Sequence, residues 1–278
     1  MHSIDCDEQS RFDRVVLLLG NRPHNINTLE VLINEGVEIA AVIIGNSDGW
    51  KYKISKIIKA FNRIGISGVL SVGVTRLLDF VINGRRNRQW YIDRFRKTAN
   101  YEELLNKVPY VLRVGSYSDE EVVKAFESLQ PNYIVVHTQL WVPKWIRNFQ
   151  SVKLCLGGHP GDTRLFRGAH STFWSQVNGL KNTLAYSVFE IDSGVDTGAV
   201  YAAGTIDNLD RDTFQISSWK LMEVIAAEQA TIINNYLRGS DRPKVLWNGS
   251  QDKITEFGQP TFFAYLRYQL HIIKERIY

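Results

Sequence analysis

The feature that most constrains this chain is a repeated alternation between short apolar runs and stretches with helical spacing. Residues 15–19 form a continuous apolar run closed by Gly20. Residues 25–35 follow with Ile26, Leu29, Leu32 and Ile33 on one helical face, and Gly36 stops them. A second apolar run, 37–44, ends at Gly45. Then come a run at 110–114, a helical stretch at 119–129, a β-branched run at 133–136, a short helix opened by Pro143, and a run at 152–156. Apolar strands alternating with amphipathic helices predict an α/β fold, a Rossmann-like, mostly parallel twisted sheet with helices on both faces. Ligands in such sheets bind beyond the carboxyl ends of the strands. The loops after Gly20, Val136 and Leu156 are therefore where chemistry is expected.

Residues 46–107 interrupt the pattern. Between Lys51 and Lys97 there are twelve basic residues against two acidic ones, Asp79 and Asp93, so the rest of the chain is net acidic. Ile54, Ile57, Ile58 and Phe61 share a helical face, with Lys53, Lys56, Lys59 and Arg63 around it. This basic helical insertion reads as a solvated face, a wall for an anionic substrate, or a basic amphipathic surface for acidic lipids. Further on, 171–177 predicts a helix, 183–191 and 199–203 strands, and 212–237 a long helix with Asp212 as its cap and Gly239 as its stop. At 260–278, Phe263, Leu266, Leu270 and Ile273 fall near helical spacing. That stretch reads as a helix packed on its own domain, with a homodimer contact as the alternative. The division expected is 1–205 for a catalytic domain and 206–278 for a C-terminal helical and extended region.

Composition narrows the class. A chain of 278 residues with 44% apolar residues and a net charge of +4 is an ordinary globular protein, neither disordered nor basic enough to argue for nucleic acid. Cys6 and Cys155 lack a CxxC partner, which predicts reduced thiols in a cytoplasmic protein. The first fourteen residues are polar and mixed in charge, unlike a signal peptide. The nearest approach to a membrane span, 64–82, carries Arg76 and Asp79, so no span is expected, although peripheral contact is open.

There is no Walker loop, no GxGxxG after the first strand, no HExxH, no GxSxG and no Cys/His set with zinc spacing, so no metal is expected. One block is dense instead. Gly157-Gly158-His159-Pro160-Gly161 follows the last apolar run, and Arg167-Gly168-Ala169-His170-Ser171 comes shortly after it. Asp192-Ser193-Gly194-Val195-Asp196-Thr197-Gly198 completes the block. A histidine beyond a buried strand, in a loop made rigid by proline and glycine, can do acid–base work. Asp196, in a glycine-flanked turn, can orient its imidazole.

This block resembles the 10-formyltetrahydrofolate-dependent formyltransferases, whose motif is Asn-x-His-Pro-Ser/Gly, then Arg-Gly, then Asp-x-Gly-x-Asp-Thr-Gly. His159-Pro160-Gly161, Arg167-Gly168 and Asp192 to Gly198 match it. His170-Ser171, Phe173-Trp174 and Asn178-Gly179 look most like the branch that formylates nucleotide-linked amino sugars. The resemblance spans roughly 15–204 and is specific from 152 to 198. It implies His159 and Asp196 as the catalytic pair. Gln139, Asp192 and Val195 would lie on the folate, with Arg167, His170 and Trp174 as candidates for the amino-sugar substrate. It also implies a role in bacterial surface-polysaccharide synthesis.

The family's Asn stands two residues before the His, and here that position is Gly157. Removing one oxyanion donor typically costs about 100- to 1000-fold in rate. A protonated His159, a backbone N–H of a Gly157-Gly158 turn, a water in the gap, or Gln139 would have to take its place. The expected activity is transfer of a formyl group from 10-formyltetrahydrofolate to an amino group on a nucleotide-linked sugar. A formyltransferase for tRNA or a purine precursor, and a binding protein that has lost catalysis, are the alternatives.

Overall fold

The computed structural model describes residues 13–46, 50–95, 101–180, 183–207, 212–249 and 252–277. Its centre is an eight-stranded sheet. β1 (Val15–Gly20) lies between β2 (Ile39–Gly45) and β4 (Tyr133–His137), β3 (Tyr110–Val114) flanks β2, and β5 (Leu154–His159) flanks β4. These five strands are parallel. β7 (Thr183–Glu190), β8 (Ala199–Asp207) and β9 (Trp247–Asn248) continue the sheet antiparallel. Every residue of β1 is buried, which is why its sequence is an unbroken apolar run and not an alternating one.

Alternate residues of β1 feed two cores. Val15, Leu17 and Leu19 pack with Ile26, Leu29 and Leu32 of α1 (Pro23–Asn34) and with Leu221, Ile225 and Ile233 of α7 (Phe214–Leu237). Val16 and Leu18 pack with Val122 and Phe126 of α4 (Glu120–Leu129) and Ile146 of α5 (Lys144–Arg147). Helices therefore cover both faces, as the alternation requires. The cap of α7 is Thr213, one residue after the expected Asp212: its Oγ1 accepts the Ile216 N–H at 3.2 Å. Cys155 is free and buried, with its thiol pushed up to about 12 by burial, and Cys6 lies outside the described residues.

From β1 the chain first builds outward through β2 and β3, then returns to β4 on β1's other side. The order reverses between β1 and β4, so the carboxyl ends of those strands form the switch point where open α/β sheets bind ligands. The insertion is a 46-residue helix, α2 (Trp50–Phe95), broken at Gly65 (φ 67°), followed by α3 (Tyr101–Leu105). The described residues after 205 pack on the elements before them. β9 joins the main sheet, and β10 (Glu256–Phe257) pairs with β6 (Arg167–Gly168) inside the motif block. α6 (Ser171–Val177) and α8 (Phe262–Ile277) share a small core through Phe173, Tyr265 and Tyr268.

Candidate active site

β4 and β5 pair from Tyr133–Leu154 as far as Val135–Leu156, and beyond that register they part. A cleft of about 650 Å³ opens there. Its walls come from the switch point: His24 and Asn25 after β1, His137 to Gln139 at the end of β4, Gly158 and Pro160 from β5. α7 adds Gln215, Ser218 and Trp219. On the other side of β5 lies a second cleft of about 700 Å³, lined by Cys155, Ile191, Asp192 and Thr197 with Lys144 and Arg147 of α5. A third, of about 790 Å³, sits at the opposite end of the sheet against Asp13, Glu38 and Arg238.

His159 lines neither of the first two clefts itself: its neighbours Gly158 and Pro160 line the first, and Thr197, next to its partner Asp196, lines the second. His159 is the last residue of β5 and not the first of a loop, and it is 4% exposed. Its Nε2 donates to the Phe166 carbonyl at 2.6 Å, and its Nδ1 is 3.3 Å from Asp196 Oδ2. A carbonyl only accepts, so Nε2 carries a proton, and Nδ1 bonds the carboxylate only when a second proton lies between them. Asp196 Oδ2 also accepts the Gly168 N–H at 2.8 Å, and the residue is held at φ 53°, a left-handed conformation that aspartate tolerates.

Arg167 is 3% exposed, and all of its hydrogen bonds go to the loops. Nη1 donates to the Val195 carbonyl at 2.7 Å, Nη2 to the Asp252 carbonyl at 2.7 Å, and Nε to Thr255 Oγ1 at 3.0 Å. Trp174 donates to the Gly258 carbonyl at 3.0 Å and stacks on Phe257. Neither lines the cleft. Arg167 ties the 192–198 turn to residues 252–255, and Trp174 ties α6 to residues 257–258. His170 does line the cleft, with its Nε2 3.0 Å from Gln259 Oε1. Asp192 shapes its own turn, accepting from the Gly194 N–H at 2.9 Å and from Thr197 Oγ1 at 2.7 Å. The three residues expected on one folate are separated. Gln139 lines the switch-point cleft, Asp192 the second cleft, and Val195 is exposed on the turn.

At Gly157 the structure overturns two expectations. The residue lies inside β5, paired with Phe189, and not in a turn. There is also no gap for a water. A Cβ at this position would stand 3.0 Å from Ile191 Cγ1 and 3.1 Å from Phe189 Cζ, so the cross-strand ring already fills the space. At Gly158 a Cβ would lie 2.1 Å from Ile225 Cγ2, so glycine is what lets α7 approach the strand.

His24 and His137 were not singled out, although each follows directly from the rule that ligands gather at strand ends. His137 is wholly buried, and its Nε2 donates to Gln229 Oε1 at 2.6 Å. Its Nδ1 and the Gln229 Nε2 have no hydrogen-bond partner among the described residues. Burial lowers the pKa values of His137 and His24 to about 4, so both are neutral near pH 7. His24 Nδ1 lies 3.0 Å from the hydroxyl of Tyr91 on α2.

No protein-family model and no curated protein matches the chain. Solved structures match its fold at low identity. A phosphoribosylglycinamide formyltransferase from Anaplasma phagocytophilum superposes with a TM-score of 0.52 at 12% identity, over 90% of this chain and 100% of its own. A formyltetrahydrofolate deformylase from Pseudomonas syringae pathovar tomato gives 0.51 at 14%, over 83% and 63%. A Mycobacterium tuberculosis protein assigned as a sugar N-formyltransferase gives 0.50 at 14%, over 92% and 86%. With its strand order, its switch-point cleft and a His–Asp pair at the end of β5, the chain has the fold of the formyltetrahydrofolate-dependent formyltransferases.

Proposed function

We propose that this protein is an N-formyltransferase that moves a formyl group from 10-formyltetrahydrofolate to the amino group of a nucleotide-linked amino sugar. The observation that carries this reading is the His159–Asp196 pair at the switch-point end of the sheet, whose sequence neighbours Gly158 and Pro160 line one cleft and Thr197 the other. A two-substrate transfer needs a donor and an acceptor that reach one proton-handling group from different directions. The second cleft suits the donor: it offers the Asp192 carboxylate to a pteridine's N–H groups and the cations Lys144 and Arg147 to an acidic tail. The switch-point cleft suits the acceptor. The sugar assignment rests on the resemblance at His170 to Gly179 and on the fold shared with the M. tuberculosis protein.

The donor, when bound, supplies a formyl carbon already activated by the aryl-amine nitrogen that carries it. Attack by a neutral amine forms the new C–N bond, the old C–N bond breaks, and one amine proton ends on the departing nitrogen. For His159 to give an N–H to the developing oxyanion, its Nε2 must leave the Phe166 carbonyl, and Asp196 then holds the imidazole through Nδ1 and compensates its charge. A shift of the packing over the buried Nδ1 of His137 would let this neutral imidazole accept a hydrogen bond from the incoming amine and aim its lone pair. Its low basicity suits it to orient a neutral amine and not to retain a proton.

The test is mass spectrometry of a panel of nucleotide-linked amino sugars incubated with the protein and 10-formyltetrahydrofolate. A formylated product that disappears with Asp196→Asn is expected. Binding of reduced folate with no product from any amine would overturn the reading in favour of a protein that binds without catalysing.

A further inference from the structure

The helix α2 is turned inside out relative to the helices of the core. Between its break at Gly65 and its end it presents to the protein a polar row, Thr75, Asp79, Asn83 and Asn87, one every four residues, alongside Leu78, Trp90, Tyr91 and Phe95. Asp79 accepts from Asn83 at 2.7 Å and from the Tyr265 hydroxyl of α8 at 3.1 Å. Asn87 donates to Gln215 at 2.8 Å and accepts from Thr213 Oγ1 at 2.6 Å, at the start of α7. The opposite stripe is apolar and faces outward: Ile66, Leu70, Val74, Leu77 and Val81, with Phe80 beside it. Leu77 is 62% exposed, Val81 71% and Phe80 73%. Before the break, Ile54, Ile57, Ile58, Phe61 and Ile64 repeat the pattern at helical spacing and are also exposed. A helix in water is built the other way round.

We propose that this face of α2 docks on the surface of an anionic lipid bilayer. Charge selects the partner. The segment from Lys51 to Lys97 carries twelve basic residues against two acidic ones, and exposed Lys59, Arg63 and Arg85 bracket the apolar stripe at both ends. Apolar side chains enter the acyl boundary while flanking cations meet acidic headgroups. A symmetric contact between two copies of this face would instead bring like charges together. From Ile57 to Phe95 the helix is also long and apolar enough to cross a membrane. Its inward polar stripe, however, is hydrogen-bonded from Asp79 to Asn87 to α8 and the start of α7, which holds it along the domain and so in the plane of the interface. A side cleft of about 430 Å³ lies between α2 and the loop at Gln259 and shares Arg76, His170 and Gln215 with the switch-point cleft.

Flotation of the full chain with vesicles tests this, using equal parts phosphatidylglycerol and phosphatidylcholine against phosphatidylcholine alone. The protein floats with the anionic vesicles, and added salt weakens the binding. Leu77→Asp with Val81→Asp weakens it at least about tenfold, as does Lys59→Glu with Arg85→Glu, while both double variants keep the wild-type circular dichroism. Absence from both vesicle fractions, or undiminished binding of the Asp variant, overturns the proposal. So does a dimer in vesicle-free buffer that the Asp variant dissociates, which assigns the face to a second copy. Protein that resists extraction from the vesicles at alkaline pH also overturns it, in favour of a span.

Discussion

β4 and β5 run side by side and both end in a buried histidine, yet the two imidazoles are tied in opposite ways. His159 has both nitrogens committed, one to the Phe166 carbonyl and one to the Asp196 carboxylate. His137 has one nitrogen on Gln229 and the other with no partner among the described residues, in a cleft wall. Beside a carboxylate, an imidazole can hold its second proton. Against an amide and apolar helices, burial strips the charge and leaves a neutral acceptor. The same residue type at neighbouring strand ends is thus built once for proton handling and once for orientation.

The sharpest way to break this contrast is to remove the carboxylate. Asp196→Asn should lower kcat about 100- to 10,000-fold. The fold should survive, because asparagine also accepts the Gly168 N–H and tolerates the left-handed backbone at φ 53°. His159→Ala should lose as much activity but also about 1–3 kcal/mol of stability, since the Phe166 carbonyl is left without its donor in a buried site. Steady-state kinetics of both variants beside denaturant melts separates the two effects. Near-wild-type kcat in Asp196→Asn would remove the pair from the mechanism.

A smaller effect sharpens the other side of the comparison. The pKa of His137 falls from 6.5 to about 4 on folding, so the unfolded chain binds more protons between those values. Stability therefore rises with pH through that window, is complete above about 6.5, and is lost as pH falls toward 4. A shift of this size is worth roughly 3 kcal/mol for the fully buried ring. His24, lowered in the same way, adds to the same limb. His137→Gln should flatten the limb in urea melts taken from pH 7 to 4, and should raise KM for the amine more than it lowers kcat. An unchanged limb would show that His137 is not the neutral acceptor described.

Much of this was legible in the sequence because it depends on local pattern. The unbroken run 15–19 must be a strand covered on both sides, and Thr197-Gly198 after Asp196 marks the turn that meets His159. What was hidden depends on partners distant in sequence. Arg167 and Trp174 looked available for substrate, because nothing near them in sequence reveals that residues 252–258 return to take their donors. The basic stretch 51–97 announced an amphipathic helix but not which face turned inward. That is decided by Tyr265, Thr213 and Gln215, which offer hydrogen bonds to the polar stripe.

The smallest effect concerns Gly157, where the comparison between the two strand ends meets the departure from the family motif. If the missing asparagine were simply a lost donor, restoring it should raise kcat by something near 100-fold. The packing argues otherwise. The position points at the ring of its own cross-strand partner, Phe189, and at Ile191, so an added Cβ meets carbon at 3.0–3.1 Å. Gly157→Ala should therefore cost about 1 kcal/mol, and the larger Gly157→Asn up to about 3 kcal/mol, with no gain in kcat, because its amide enters an apolar space. Shrinking the opposing ring discriminates strain from chemistry. In a Phe189→Ala background the overpacking cost of Gly157→Asn should largely vanish, a coupling readable as a double-mutant cycle in denaturant melts. If Gly157→Asn instead folds with wild-type stability and gains turnover, Phe189 does not fill the oxyanion side of the site. The proton on His159 would then not be a sufficient substitute for the missing amide.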